Sequence, residues 1–320
     1  MNLKKIANSI KNNPYILEKK EINPIVQYID KNSFKSIKIF SDIGEDSAAI
    51  SNEDNYILMT TDRIKTSFIE NFPIGAGFSS ILVGVDDIYC CGGVPLAASL
   101  IISYKEEKIG EKIIEGICEG SKKFKVPIVR GHTNPNGDHY ELSSTMVGEI
   151  QKRNYISAKN AQINDYIILA VDFNGKVGKA SDLYWDTVTF KSSEEILFER
   201  KSMNKIAKLQ LVNSSKDISN GGIFGTLLQI IKYSKVGANV NINKITIPPR
   251  LIDKGYDLEK YIKMYLTTSY LITVSPQKYK SVIKVFKEFG LIANVIGKII
   301  KEKKILRIND GIESVDVIKL

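Results

Sequence analysis

Apolar residues change period several times along the first half of the chain. From Ser47, the short run Ala48–Ile50 is followed by a polar turn, Asn52–Asn55, and then by Tyr56–Thr61, which reads as a strand. Phe78, Ile81, Leu82, Val85 and Ile88 then recur at helical spacing, and Gly92–Gly93 with Pro95 gives a stop. The unbroken apolar stretch Ala97–Tyr104 predicts a strand buried on both faces. Glu111–Phe124 is a second helix, with Ile113, Ile114, Ile117, Cys118 and Phe124 inward. Val126–Val129 reads as a short buried strand, Gly131–Asp138 as a loop, and Tyr140–Ile150 as a longer strand. Two helices against a mixed or antiparallel sheet make an α+β layer, since the regular βαβ beat of a doubly wound sheet is missing.

The composition turns polar after Gln151–Arg153, which divides the chain into an arm (1–40, one or two short helices), a first domain (41–152) and a second (153–320). In the second, Tyr166–Val171 reads as a strand, Glu194–Val212 as a long helix and Gly222–Tyr233 as an apolar helix. Strand Ser269–Ser275, helix Gln277–Phe289 and strand Leu291–Ile299 follow. The Lys-rich stretch Lys298–Arg307 reads as a solvated strand face.

A length of 320 residues suits two domains, and the contents of 43% hydrophobic and 25% charged residues exclude a wholly disordered chain. The net charge of +9 would suit an anionic partner, but no aromatic platforms interleave with the basic residues, so nucleic acid is not favoured. Three cysteines are too few for a disulfide scaffold, and the vicinal Cys90–Cys91 reads as helix packing. His132 and His139 alone exclude a multi-histidine metal site. No apolar run is long enough to span a bilayer, and no membrane role is expected; the default compartment is cytoplasmic.

Carboxylates supply the candidate chemistry. Asp42, Glu45 and Asp46 precede a strand, Asp62 ends the next, and Asp86 and Asp87 lie in the last turns of an apolar helix. Two adjacent acids at the negative end of a helix dipole are unfavourable unless a cation is near. They stand about 100° apart around the helix, so only one can face a shared site, and spacing leaves open which. Acids from a loop, a strand end and a helix end either converge on a hard cation such as Mg²⁺ or remain solvated surface groups. Glycines at Gly75–Gly77, at Gly131 in RGHT and at Gly221–Gly222 in DISNGG could bring backbone N–H groups to an anion. The last is sharpest, because Asp217, Ser219 and Asn220 precede it and an apolar helix follows; an ordinary helix cap reads equally well. Walker A and G-x-G-x-x-G patterns are both missing.

IGEDSAAI, TTD, VGVDDIYCCGGVP, RGHT and DISNGG follow one another in order. At these spacings, over about residues 40–300, the chain resembles the PurM-like aminoimidazole ribonucleotide (AIR) synthetase superfamily, which includes thiamine-monophosphate kinase. It is most similar there to the methanogenesis marker protein two group of methanogenic archaea. The resemblance implies an N-terminal α+β domain that dimerises through its sheets and a C-terminal α+β domain closing a cleft that holds ATP and Mg²⁺. It assigns Asp46, Asp62 and Asp87 as metal ligands, with Glu45 standing where the kinase has another Asp. Gly131, His132 and Thr133 match a nucleotide loop, joined by Ser219, Asn220, Gly221 and Gly222. Asp217 matches an acid near the transferred phosphate, and with His132 it is the catalytic candidate. The implied function is Mg-ATP-dependent activation or phosphorylation of a small molecule, kinase-like or cyclo-ligase-like, in cofactor biosynthesis. The kinase has acids where this chain has His132 and Asn220, and its G-G-E-D-Y-E-L motif has no clear counterpart near Leu266–Val274. The alternative is therefore a nucleotide-binding scaffold or regulator that has lost chemistry.

Overall fold

A computed structural model describes residues 3–20 and 24–320. The arm folds into α1 (Leu3–Lys11), α2 (Pro14–Lys20) and α3 (Pro24–Asn32), one helix more than expected. Leu3, Ile6, Ala7 and Ile10 of α1 recur at helical spacing and bury into the core of the C-terminal half, whereas α3 buries none of its residues.

The first sheet is built from β1 (Ile39–Ser41), β2 (Ala48–Asn52), β3 (Asn55–Arg63), β4 (Val94–Tyr104), β5 (Ile128–Pro135) and β6 (Glu141–Gln151), in the order β1-β2-β3-β6-β4-β5. Pairing is antiparallel except between β4 and β5. Between the strands lie α4 (Thr66–Asn71), α5 (Pro73–Cys90) and α6 (Glu107–Phe124). Pro73 starts α5, where its missing N–H costs nothing. Gly77 and Gly116 let α5 and α6 meet backbone to backbone: a Cβ at either would lie 2.1 or 2.0 Å from the carbonyl oxygen of Ile113 or Ile74.

These helices cover one face of the sheet only. Burial of β4 on both faces is therefore corrected: Leu96 and Ile101 are 41% and 48% exposed, beside Met59 at 42%. The RGHT segment is also corrected. It is not a loop after a buried strand but part of β5, an edge strand exposed along its whole length. Gly131 is small there because a Cβ would stand 2.8 Å from the Leu100 carbonyl oxygen.

The second half contains β7 (Tyr166–Val171), β8 (Lys176–Val177), β9 (Tyr184–Asp186), α7 (Ser193–Lys208), β10 (Ser214–Ile218), α8 (Gly222–Ser234) and β11 (Gly237–Asn241). It continues with α9 (Pro249–Ile252), α10 (Leu258–Tyr261), β12 (Tyr265–Val274), α11 (Tyr279–Glu288), β13 (Ile292–Ile300), β14 (Ile305–Asn309) and β15 (Ser314–Lys319). Its sheet runs β15-β14-β11-β13-β7-β12-β9-β8, with β10 also on β12. Central β7 is buried on both sides: Ile168 and Ala170 face the core shared with the first half, and Ile167, Leu169 and Val171 the core under α8. Helix α7 begins with a capping box, Ser192 and Glu195, and stops at Lys208, short of the expected Val212; Gln210 has turned to φ 50°. The Lys-rich run is two strands around the exposed turn 301–304 rather than one strand face.

Candidate functional site

Three carboxylates from three elements meet at one point. Asp46 comes from the loop before β2, Asp87 from the last turn of α5 and Asp217 from β10 in the C-terminal half; each offers an oxygen within 4.8 Å of the others. The α5 pair is resolved by helical geometry. Asp87 turns to the cluster, while the neighbouring Asp86 accepts from Arg200 Nε of α7 at 2.9 Å, with Nη2 2.8 Å from the same oxygen, in a buried ion pair between the halves. Thr60 Oγ1 on β3 donates to Asp87 Oδ2 at 2.5 Å and lies 3.4 Å from Asp62 Oδ2, so Asp62 stands at the edge of the same group.

Glu45 is positioned elsewhere. Its Oε1 accepts from Ser41 Oγ and Ser157 Oγ, both at 2.6 Å, and its Oε2 from the Ala158 N–H at 2.6 Å. The carboxylate is engaged by these three donors, with Lys159 Nζ 3.7 Å from Oε1, and ties the Asp46 loop to the segment entering the C-terminal half. On the other side of that loop, Gly44 at φ +91° lies against the Tyr233 ring, where a Cβ would clash at 2.5 Å.

Two more groups touch the acids: Lys216, which was not singled out from the sequence, and Cys90, which was read there only as helix packing. Lys216 Nζ pairs with Asp46 Oδ1, and the Cys90 thiol donates to Asp46 Oδ2 at 2.6 Å. Cys90 lies one helical step beyond Asp87 on the same face, a spacing that could have flagged it. Lys216 and Asp217 are adjacent and both buried on β10, in regular register with Leu271 and Tyr270 of β12, and the ladder slips only beyond them, between Asp217 and Ile218. Lys19 of the arm donates to Ser219 Oγ at 3.1 Å, two residues beyond Asp217.

Convergence of like charge shows in the acidities. Burial, then repulsion from Asp62, Asp217 and Asp46, pushes the Asp87 carboxyl well above the usual range, although the Thr60 hydroxyl works against this. Burial and the Asp46 and Asp86 charges raise Asp217, with Lys216 and Lys19 opposing. Asp62 is raised chiefly by burial. Burial alone would depress the Lys216 ammonium, but Asp46 outweighs it and holds the group above the ordinary lysine value. Burial lowers Lys19 to about 8 despite the pull of Asp217. Burial raises the Cys90 thiol, so it is a neutral donor and not a thiolate ligand. A pocket of oxygen donors with more acid than base fits a hard divalent ion such as Mg²⁺: Asp46, Asp87 and Asp217 would hold it, with Asp62 behind.

The glycine pair at the start of α8 differs from an open anion cradle. The Gly222 N–H donates to the Ser219 carbonyl at 3.0 Å and the Ile223 N–H to the Ile262 carbonyl at 3.1 Å. Gly222, at φ +62°, passes so close to Ile262 that a Cβ would stand 2.1 Å from its oxygen. Gly222 serves a tight crossing of backbone, and its N–H, one of the expected donors, is spent. His132 and Thr133 lie on the exposed edge strand, in register with Ile101 and Ile102, and no hydrogen bond or ion pair joins them to the acids among the described residues. Asn220 stays at the exposed start of α8.

Residues 44–150 match the model of the AIR synthase related protein N-terminal domain, and residues 176–308 that of the C-terminal domain. The chain belongs to the AIR synthase related family. An uncharacterized protein of Methanocaldococcus jannaschii is 36% identical over 97% of this chain and 95% of its own. The thiamine-monophosphate kinase of Buchnera aphidicola is 26% identical over 77% of this chain and 79% of its own. Among solved structures, T. maritima PurL complexed with ATP superposes with a TM-score of 0.73 at 13% identity, over 91% of this chain but 48% of that one, so the chain spans about half of PurL. The family's two-part fold is thus the fold seen here, and it is a scaffold that enzymes use. No helix among the described residues is long and apolar enough to cross a membrane.

Proposed function

We propose that this AIR synthase related chain is a magnesium- and ATP-dependent enzyme that activates or phosphorylates a small molecule. The observation that carries the reading is the meeting of Asp46, Asp87 and Asp217, drawn from both halves, around one point. Divalent metal bound there would supply charge neutralisation for the triphosphate. Asp46 and Asp87 are the ligands from the N-terminal half, with Thr60 fixing the Asp87 carboxylate by its hydrogen bond. Asp217 faces them from the other half, where it serves as a third ligand or orients the acceptor. The Lys216 ammonium, held by Asp46, lies within reach of developing negative charge. Glu45 takes a positioning role, fixing the loop that presents Asp46. A second copy of the chain pairs across the bare face of the first sheet and brings the exposed RGHT strand into a shared assembly.

Asp87→Asn tests the reading. Mg-ATP affinity measured by calorimetry is expected to fall at least ~100-fold, while the thermal midpoint in chelator stays the same or rises, because one repelling charge has gone. Unchanged nucleotide and metal affinity in a folded Asp87→Asn variant overturns the site. A second reading, a nucleotide-binding regulator without chemistry, draws support from the spent N–H donors at Gly222 and Ile223. Steady ATP turnover with candidate acceptors separates it from the first.

A further inference from the structure

Asp46 is the acid of the cluster whose oxygens are both taken. The Lys216 ammonium pairs with its Oδ1, and the Cys90 thiol donates to its Oδ2 at 2.6 Å. By contrast, Thr60 holds Asp87 at Oδ2 alone, and no hydrogen bond or ion pair from a described residue reaches the Asp217 carboxylate. The Lys216–Asp46 pair joins the two halves, from β10 to the loop before β2, and its side chains are buried, at 5% and 7% exposure. Among the described residues, Asp46 is the only hydrogen-bond partner of the ammonium.

We propose that Lys216 is the resident counter-ion of the acid cluster, filling the Asp46 side of the site until a phosphate draws the ammonium away, so that metal and phosphate bind together and metal alone binds poorly. The inference rests on the metal and nucleotide reading above and adds the order in which the site fills. A divalent ion reaching Asp46 by itself would leave the ammonium buried, without its partner and beside a dication. Stranding one member of a buried ion pair is strongly unfavourable. A phosphate oxygen supplies the replacement partner, because a lysine is a point charge on a flexible four-carbon stem and binds phosphate in that way. The anion thus removes the penalty on the metal, the metal removes the repulsion between anion and acids, and the coupling is equal in both directions.

The test uses the full chain, with Mn²⁺ followed by electron paramagnetic resonance, alone and as its complex with the non-hydrolysable ATP analogue AMPPCP. Lys216→Met is expected to bind Mn²⁺ alone about tenfold more tightly than wild type, because the competing charge is gone. The same variant is expected to bind the Mn–AMPPCP complex about tenfold more weakly, because the phosphate has lost its partner. Lys216→Arg, which keeps the charge, is expected to retain the weak binding of the bare ion. These opposite signs separate the proposal from a loss of structure, which would weaken both. A folded Lys216→Met that binds bare Mn²⁺ no more tightly than wild type overturns it, and leaves the metal site standing if the complex still binds and Asp87→Asn abolishes that binding. Wild type that binds bare Mn²⁺ as tightly as the complex overturns it without any variant. If Mn²⁺ binds neither wild type nor Lys216→Met in either form, the metal reading falls and the counter-ion with it.

Discussion

Asp86 and Asp87 show how much one residue step decides. On the chain they are equivalent neighbours; on α5 one is clamped by Arg200 and the other joins Asp46 and Asp217. A second buried network carries a titration. Lys191 pairs with Asp172 and with Glu199, at 2.5 Å from Glu199 Oε1, while Glu199 Oε2 has no hydrogen-bond partner. Burial, with the Asp172 charge, pushes Glu199 up to about 7 against the pull of Lys191 and Arg200. A carboxyl raised in the folded state above its unfolded value near 4.5 stabilises the fold most when protonated. That contribution is full below the unfolded value and is lost as pH rises through about 7. Between pH 5 and 8 the wild type should therefore lose roughly 1–2 kcal/mol, after discounting for partial solvent screening, that Glu199→Gln keeps. Urea midpoints across that range check this, and parallel profiles for the two proteins would contradict it.

At the scale of elements, the apolar periodicity of α5, β3 and β7 was legible because each buries one predictable stripe or alternates between two cores. The expected inward face of α6 is corrected: Ile113, Ile117 and Phe124 are buried, but Ile114 and Cys118 are exposed, because Gly110, Gly116 and Gly120 complete the buried stripe. Short strands such as β8, β9 and β10 were not legible, since two to five residues carry too little pattern. The α5–α6 contact was also hidden. Glycine in a helix ordinarily costs about 0.5–1 kcal/mol relative to alanine, so Gly116→Ala should stabilise α6 if propensity ruled. The Ile74 carbonyl, 2.0 Å from the new methyl, reverses the sign. A loss of about 2–4 kcal/mol is expected in chemical denaturation, and a gain would show that the helices move apart freely.

For the whole molecule, the bare face of the first sheet is the consequential surface. Met59, Leu96 and Ile101 are exposed apolar side chains of this sheet, and Ile101 lies in register with His132 of the exposed RGHT strand, so the face suits a partner of matching shape. Light scattering is expected to give a dimer for wild type and a monomer for Ile101→Lys combined with Leu96→Lys, with unchanged circular dichroism. A monomeric wild type would remove this interface. The arm belongs to this scale as well, because α2 touches both halves, through Lys65 on Tyr15 and through Ser219 and Lys232 on Lys19.

By itself the sequence determined the α+β class and the main helices and long strands, because periodicity is a local property, and through its ordered motifs it offered Asp46, Asp62, Asp87 and Asp217 as candidates. Only the tertiary structure decided that Glu45 anchors a loop, that Gly222 serves a backbone crossing, and that Lys216 and Cys90 reach Asp46. Those are contacts between residues far apart in the chain, and the free energy of a charge or a donor depends on what the fold places beside it.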